Sequence, residues 1–136
     1  MYPSSRSYAE QYRKVGATSS ILEASPHKLV QLLLEGASSR VRMAMACLER
    51  GDQAGKGKAI GRTCDIIGHL AGTLDMEKGG EIAQNLAALY DYIQLRLTEG
   101  NLHNDRAALE DALSIIGEIE AAWTGMLSAR AEATTP

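Results

Sequence analysis

Three features of this 136-residue chain point to an all-α fold: an antiparallel up-down-up-down four-helix bundle with a short mobile N-terminal helical segment. The first is composition. Ala (20) and Leu (16) supply more than a quarter of the residues, Val contributes only three, and Phe is absent. Ala and Leu are strong helix formers, whereas strands draw on the β-branched and aromatic residues that are scarce here. The second is period, because four runs of apolar residues recur at the helical spacing of 3, 4 and 7. The third is punctuation: Gly51-Asp52, Gly79-Gly80 and Gly100-Asn101 separate those runs. Short connections between four long helices favour antiparallel neighbours.

The elements follow in order. Residues 1–24 form a front segment in which Tyr8, Tyr12 and Val15 share one face if Ser7 to Val15 is helical, and Gly16-Ala17-Thr18-Ser19-Ser20 then breaks the run. A helix this short is marginal in water unless it docks. Two readings stay open for it, a ragged terminus or a detachable amphipathic lid. The bundle occupies residues 25–127. Ser25-Pro26 starts its first helix, with Ser as N-cap and Pro at the first helical position. Val30, Leu33, Leu34, Ala37, Val41, Ala44 and Leu48 form its core stripe, and Gly51-Asp52 ends it. The second helix carries Ile60, Cys64, Ile67, Ala71 and Leu74, and Asp75 to Gly80 breaks it. The third carries Ile82, Leu86, Leu89, Tyr90, Ile93 and Leu97 and closes at Gly100-Asn101. Asn104 or Asp105 caps the fourth, with Leu109, Ala112, Leu113, Ile116, Ile119, Trp123 and Met126 as its stripe. Residues 128–136 are polar and read as a disordered tail.

The first two helices carry more apolar surface than one core stripe needs. Leu29, Leu32, Gly36, Met43 and Cys47 make a second row on the first helix, and Ala59, Thr63, Ile66 and Leu70 do so on the second. Beside that row lie Gly57, Gly61, Gly68 and Gly72, each costing up to about 1 kcal/mol relative to Ala inside a helix. Either the helices pack unusually closely, or the missing side chains leave a trough for a partner's backbone. Apolar grooves of this kind take amphipathic helices.

The remaining chemistry is sparse. A net charge of −3 gives no nucleic-acid footprint, and no apolar run approaches the length of a membrane span or a secretory signal. An antiparallel hairpin turning near Asp52 sets Cys47 opposite residues near 57 and away from Cys64. No disulfide is expected, which fits a reducing, cytoplasmic setting. His27, His69 and His103 fall at a helix start, on a polar face and in a loop. No Glu precedes any of them by three, and no metal-spaced Cys/His set or nucleophile elbow occurs. Neither an enzyme nor a cofactor or metal is expected.

Leu74-Asp75-Met76-Glu77-Lys78-Gly79-Gly80-Glu81-Ile82-Ala83-Gln84-Asn85-Leu86, continuing through Leu89-Tyr90-Asp91-Tyr92, strongly resembles the FliS family of flagellin export chaperones. The resemblance extends over most of the chain. It includes Ala24-Ser25-Pro26, Gly51-Asp52, Asn101, Asn104-Asp105, Ala122-Trp123 and the front segment from Tyr8 to Tyr12. Leu33-Leu34-Glu35-Gly36 departs from the family's common Leu-Tyr-Asp-Gly, and Gly100-Asn101 from its usual Ala-Asn.

The resemblance implies a cytoplasmic chaperone that binds the disordered C-terminal segment of flagellin one to one, prevents its premature polymerisation and presents it to the flagellar export gate. It also implies that the front segment covers part of the groove until flagellin displaces it. Carried onto this chain, the lid residues are Tyr8 and Tyr12. The groove residues are Leu29, Leu32, Ile66 and Leu70, with Tyr92 and Leu95 beside them, and Gly68 and Gly72 admit a partner backbone. A competing reading is a helical regulatory protein that sequesters an anti-sigma or transcription factor, and the flagellar anti-sigma factor is a second partner that some relatives are thought to bind.

Overall fold

The computed structural model describes residues 25–134, with side chains through residue 126. Four helices account for nearly all of it: α1 (Pro26–Glu49), α2 (Gln53–Gly72), α3 (Gly80–His103) and α4 (Arg106–Thr134). No strand occurs among the described residues.

The expected starts are met by specific caps. Ser25 Oγ accepts from Lys28 N–H at 3.2 Å, with Pro26 opening α1. At the end of α1, Asp52 N–H reaches Cys47 C=O at 2.9 Å and Gly51 N–H reaches Leu48 C=O at 3.2 Å. This pair of bonds satisfies carbonyls the helix leaves open, and it needs the left-handed φ of 72° that Gly51 adopts at no steric cost. Asp52 then turns from stop to start, accepting from Gly55 N–H at 2.9 Å as the N-cap of α2. Between α2 and α3, Asp75 Oδ1 gathers the N–H groups of Glu77 and Lys78 at 3.1 and 3.0 Å. Asp105 Oδ1 accepts from Ala108 N–H at 3.2 Å, so Asp105 is the residue that caps α4.

Two ends differ from expectation. α3 does not close at Gly100-Asn101 but runs to His103, ending where Asn104 takes a left-handed φ of 52°. Gly100 is buried inside the helix, where a Cβ would lie 2.5 Å from Leu109 Cδ2, so it serves close packing of α4 and not a turn. α4 continues to Thr134, past the tail expected from residue 128. Ala129, Ala131 and Ala133 favour continuation, and no Pro interrupts before Pro136.

α1 packs on α2 and α4, and α3 packs on the same two, which is the square arrangement of an up-down-up-down bundle. Leu34 and Val41 of α1, Ile60 and Ile67 of α2, Ile93 and Leu97 of α3, and Leu109 and Ile116 of α4 meet in the core. Each such side chain contributes about 1.5–3 kcal/mol on burial. Polar groups inside are answered: Thr63 Oγ1 donates to Ala59 C=O at 3.0 Å and Ser38 Oγ to Glu120 at 3.2 Å. Lys56, only 2% exposed, donates from Nζ to Asn101 C=O at 2.9 Å and to Asn104 Oδ1.

Candidate functional site

The α1–α2 seam is where the second stripes were expected to form a groove. Leu29, Leu32 and Ile66 are half-buried there, and Ile66 Cδ1 lies 3.9 Å from where a Cβ on Gly36 would be. Met43 is 48% exposed, but most of the rest of the row has turned inward. Cys47, Ala59 and Thr63 are buried, and Leu70 is 2% exposed as a member of the core. Leu70 is therefore not an open groove wall: Ala37, Ala44 and Ala59 are small enough to let α1 and α2 close on each other and absorb that stripe into their joint. The cysteines within it, Cys47 and Cys64, are unbridged. Burial, with help from the Asp65 carboxylate, pushes the Cys64 thiol above its usual range.

The glycines of α2 divide between two roles. A Cβ on Gly57 would meet Asn101 at 3.8 Å and one on Gly68 would meet Gln94 at 3.9 Å, so both face α3. Gln94 Nε2 crosses this seam to donate to Cys64 C=O at 2.9 Å. Gly61 and Gly72 border open space, and Gly68 and Gly72 are both exposed.

Tyr92 and Leu95 are 42% and 54% exposed on α3. The Tyr92 hydroxyl donates to Asp111 Oδ2 at 2.6 Å, and Arg96 Nε donates to the same oxygen at 3.0 Å. That hydrogen bond to the carboxylate is the main reason the Tyr92 hydroxyl holds its proton above the usual phenol range. Tyr92 is thus tied to α4 while much of it still meets solvent. Tyr8 and Tyr12 lie outside the described residues.

Open apolar surface also lies elsewhere, on residues that the helical period alone assigned to the core. Ile82 is 73% exposed, Leu89 39% and Met126 45%. They line a 310 Å³ groove between the first half of α3 and the second half of α4, with Leu86, Ile119 and Trp123 along it. Ile82 and Trp123 also border a second hollow of 470 Å³ at the end of the bundle, beneath Pro26, Val30 and Leu74. Trp123 joins the two. Its Nε1–H donates to His27 C=O at 2.6 Å and its ring sits 5.6 Å from the His27 ring, which fixes the indole across the first turn of α1. One sequence signal does mark α3 as more than a core helix. Leu95 and Leu102, seven apart and 54% and 71% exposed, lie on the side opposite Ile93 and Leu97.

The chemistry available is that of a binding surface. No group of three His, Cys, Asp or Glu among the described residues is placed to hold a metal, and no helix there is long and apolar enough to cross a membrane.

Residues 8–130 match the family described as flagellar protein FliS. The flagellar secretion chaperone FliS of Salmonella typhimurium is 43% identical, covering 82% of this chain and 84% of that protein. The Vibrio cholerae chaperone of the same name is 42% identical over 87% of each chain. The flagellar secretion chaperone FliSB of Pseudomonas aeruginosa is 38% identical, over 86% of this chain and 93% of its own.

Proposed function

The chain belongs to the FliS family of flagellar secretion chaperones, and we propose that its cargo is the C-terminal segment of flagellin, held one to one. The observation that carries this reading is apolar surface left open beside a complete core. Leu34, Ile67, Ile93, Leu97 and Ile116 are fully buried, while Ile82, Leu89, Leu95 and Met126 are not. A monomer gains nothing from such exposure, and contiguous uncovered apolar surface marks an interaction site.

The binding surface in this proposal has the α3–α4 groove at its centre. Leu29, Leu32 and Ile66 form a second patch on the α1–α2 seam, across the bundle from that groove, Tyr92 and Leu95 lie on the outer side of α3, and Gly68 and Gly72 offer close approach beside Gln94. Leu70 supports that wall from the core. Tyr8 and Tyr12 belong to residues 1–24, the lid over the groove that flagellin displaces. A disordered cargo that folds on this surface wraps a large area yet is released readily, because its ordering entropy offsets much of the contact energy. Covering the cargo's apolar faces in the cytoplasm prevents premature polymerisation, and the loaded chaperone delivers it to a component of the flagellar export gate.

Calorimetry of the full chain with the C-terminal segment of its cognate flagellin tests the reading. A saturable one-to-one heat is expected, and Ile82→Asp/Leu89→Asp should weaken it on the order of tenfold or more. Because Ile82 is largely exposed and Leu89 partly so, helicity and cooperative melting should survive. No heat and no co-elution across a range of salt overturns the proposal. The flagellar anti-sigma factor in the same cell gives the sequestering alternative its own readout.

A further inference from the structure

The α3–α4 groove is apolar along its floor and carries one carboxylate, Glu118, in its lining. Ile82, Leu86 and Leu89 face Ile119, Trp123 and Met126 across it. No Lys or Arg occurs from Gly80 to Leu95 or from Ala107 to Met126, while these two stretches carry six carboxylates. Three are answered within the bundle: Asp111 by Arg96 and Tyr92, Glu110 by Arg106, and Glu120 by Ser38. Glu81, Asp91 and Glu118 have no hydrogen-bond or ion-pair partner among the described residues; Glu118 lines the groove and Glu81 adjoins Ile82 at its end, whereas Asp91 falls on the far side of α3. The opposite side of the molecule has the reverse balance, because apart from the buried Lys56 α1 and α2 together hold five Lys or Arg against three Asp or Glu. The chain's small net charge therefore conceals two faces of opposite sign.

We infer that the α3–α4 groove selects an amphipathic helical segment of a partner whose apolar stripe is flanked by Lys or Arg. The inference rests on the reading that cargo lies in this groove, and it adds the charge that cargo must present there. From Ile82 to Leu89 is two helical turns, roughly 10 Å of floor, enough for anchors at i, i+3, i+4 and i+7 of one incoming helix. Carboxylates beside a low-dielectric floor attract basic flanks and repel acidic ones, which fixes partner choice and speeds encounter more than it deepens the bound state.

Two synthetic peptides with the same Leu stripe, one flanked by Lys and one by Glu, are titrated into the full chain and followed by fluorescence anisotropy. The Lys-flanked helix is expected to bind saturably and the Glu-flanked one on the order of tenfold more weakly. The preference should shrink as salt screens the carboxylates. Glu81→Lys with Glu118→Lys should weaken the Lys-flanked helix by roughly threefold per charge, and Ile82→Asp/Leu89→Asp should abolish its binding. Equal binding of the two helices overturns the inference. So does a preference that persists in Ile82→Asp/Leu89→Asp, which would be diffuse charge attraction, or a homodimer that excludes both peptides and gives the groove to a second copy. Flagellin binding without a peptide preference overturns this inference alone. A peptide preference without flagellin binding overturns the cargo's identity and leaves the charge selection standing.

Discussion

A lysine with 2% exposure needs its charge answered, and Lys56 is answered by the end of a helix, with no carboxylate on its Nζ among the described residues. The last four carbonyls of α3 have no partners within the helix, and they carry the negative end of its dipole. Lys56 Nζ takes one of them, Asn101 C=O, and also the side chain of Asn104, whose left-handed backbone stops α3. One ammonium therefore holds α2, the end of α3 and the turn into α4 together. Lys56→Met should cost about 1–3 kcal/mol in urea unfolding, because Asn101 C=O loses its partner in a part-buried site. Asn104→Gly and Asn104→Ala both remove the Oδ1 acceptor, but only Ala must force a Cβ into φ 52°. Ala should be the more destabilising by about 1 kcal/mol. Equal losses would show that the backbone conformation contributes nothing there. No sequence rule points to Lys56, since a lysine in a helix is ordinarily a solvated one.

At the scale of elements, the starts were legible because caps are local. Ser25-Pro26 and Asp105 each act within three residues, so sequence neighbours carry the signal, whereas Asp52, read only as a stop, also caps α2. Ends and faces depend on what packs from afar. Gly100 reads as a helix stop in isolation, yet it sits inside α3 because Leu109 presses on it. Gly100→Ala should lower stability by about 1–3 kcal/mol through overpacking against Leu109, where the usual helical preference for Ala would predict a gain. A gain in melting temperature would return Gly100 to a helix-end role. The same distinction explains the misplaced groove. Period shows that Ile82, Leu86 and Leu89 share a side of α3, but whether a neighbour covers that side depends on how far α4 stands off. Conversely, part of the surplus stripe of α1 and α2 was absorbed where small residues let those helices close, taking Leu70 into the core while leaving Leu29, Leu32 and Ile66 half-buried and Met43 exposed.

For the whole molecule, the separation of core from groove makes stability and binding independent quantities, and heat can read both. A ligand that binds only the folded chain raises its stability by RT ln(1 + [L]/Kd), about 2.7 kcal/mol at a hundredfold excess over Kd. For a chain of this length that is on the order of 10 °C in Tm. The flagellin C-terminal segment should produce such a rise in the full chain. Ile93→Ala empties a site with no exposure at all and should lower the starting Tm through a loss of about 2–5 kcal/mol, yet the ligand-induced rise should remain. Ile82→Asp/Leu89→Asp should do the reverse, keeping a near-parental Tm and losing the rise. If both variants lose Tm and the rise together, the α3–α4 side chains are holding the bundle closed, and the open apolar surface is structural. If they separate as expected, the exposure of Ile82 and Leu89 is surface kept free of the core for a partner to cover.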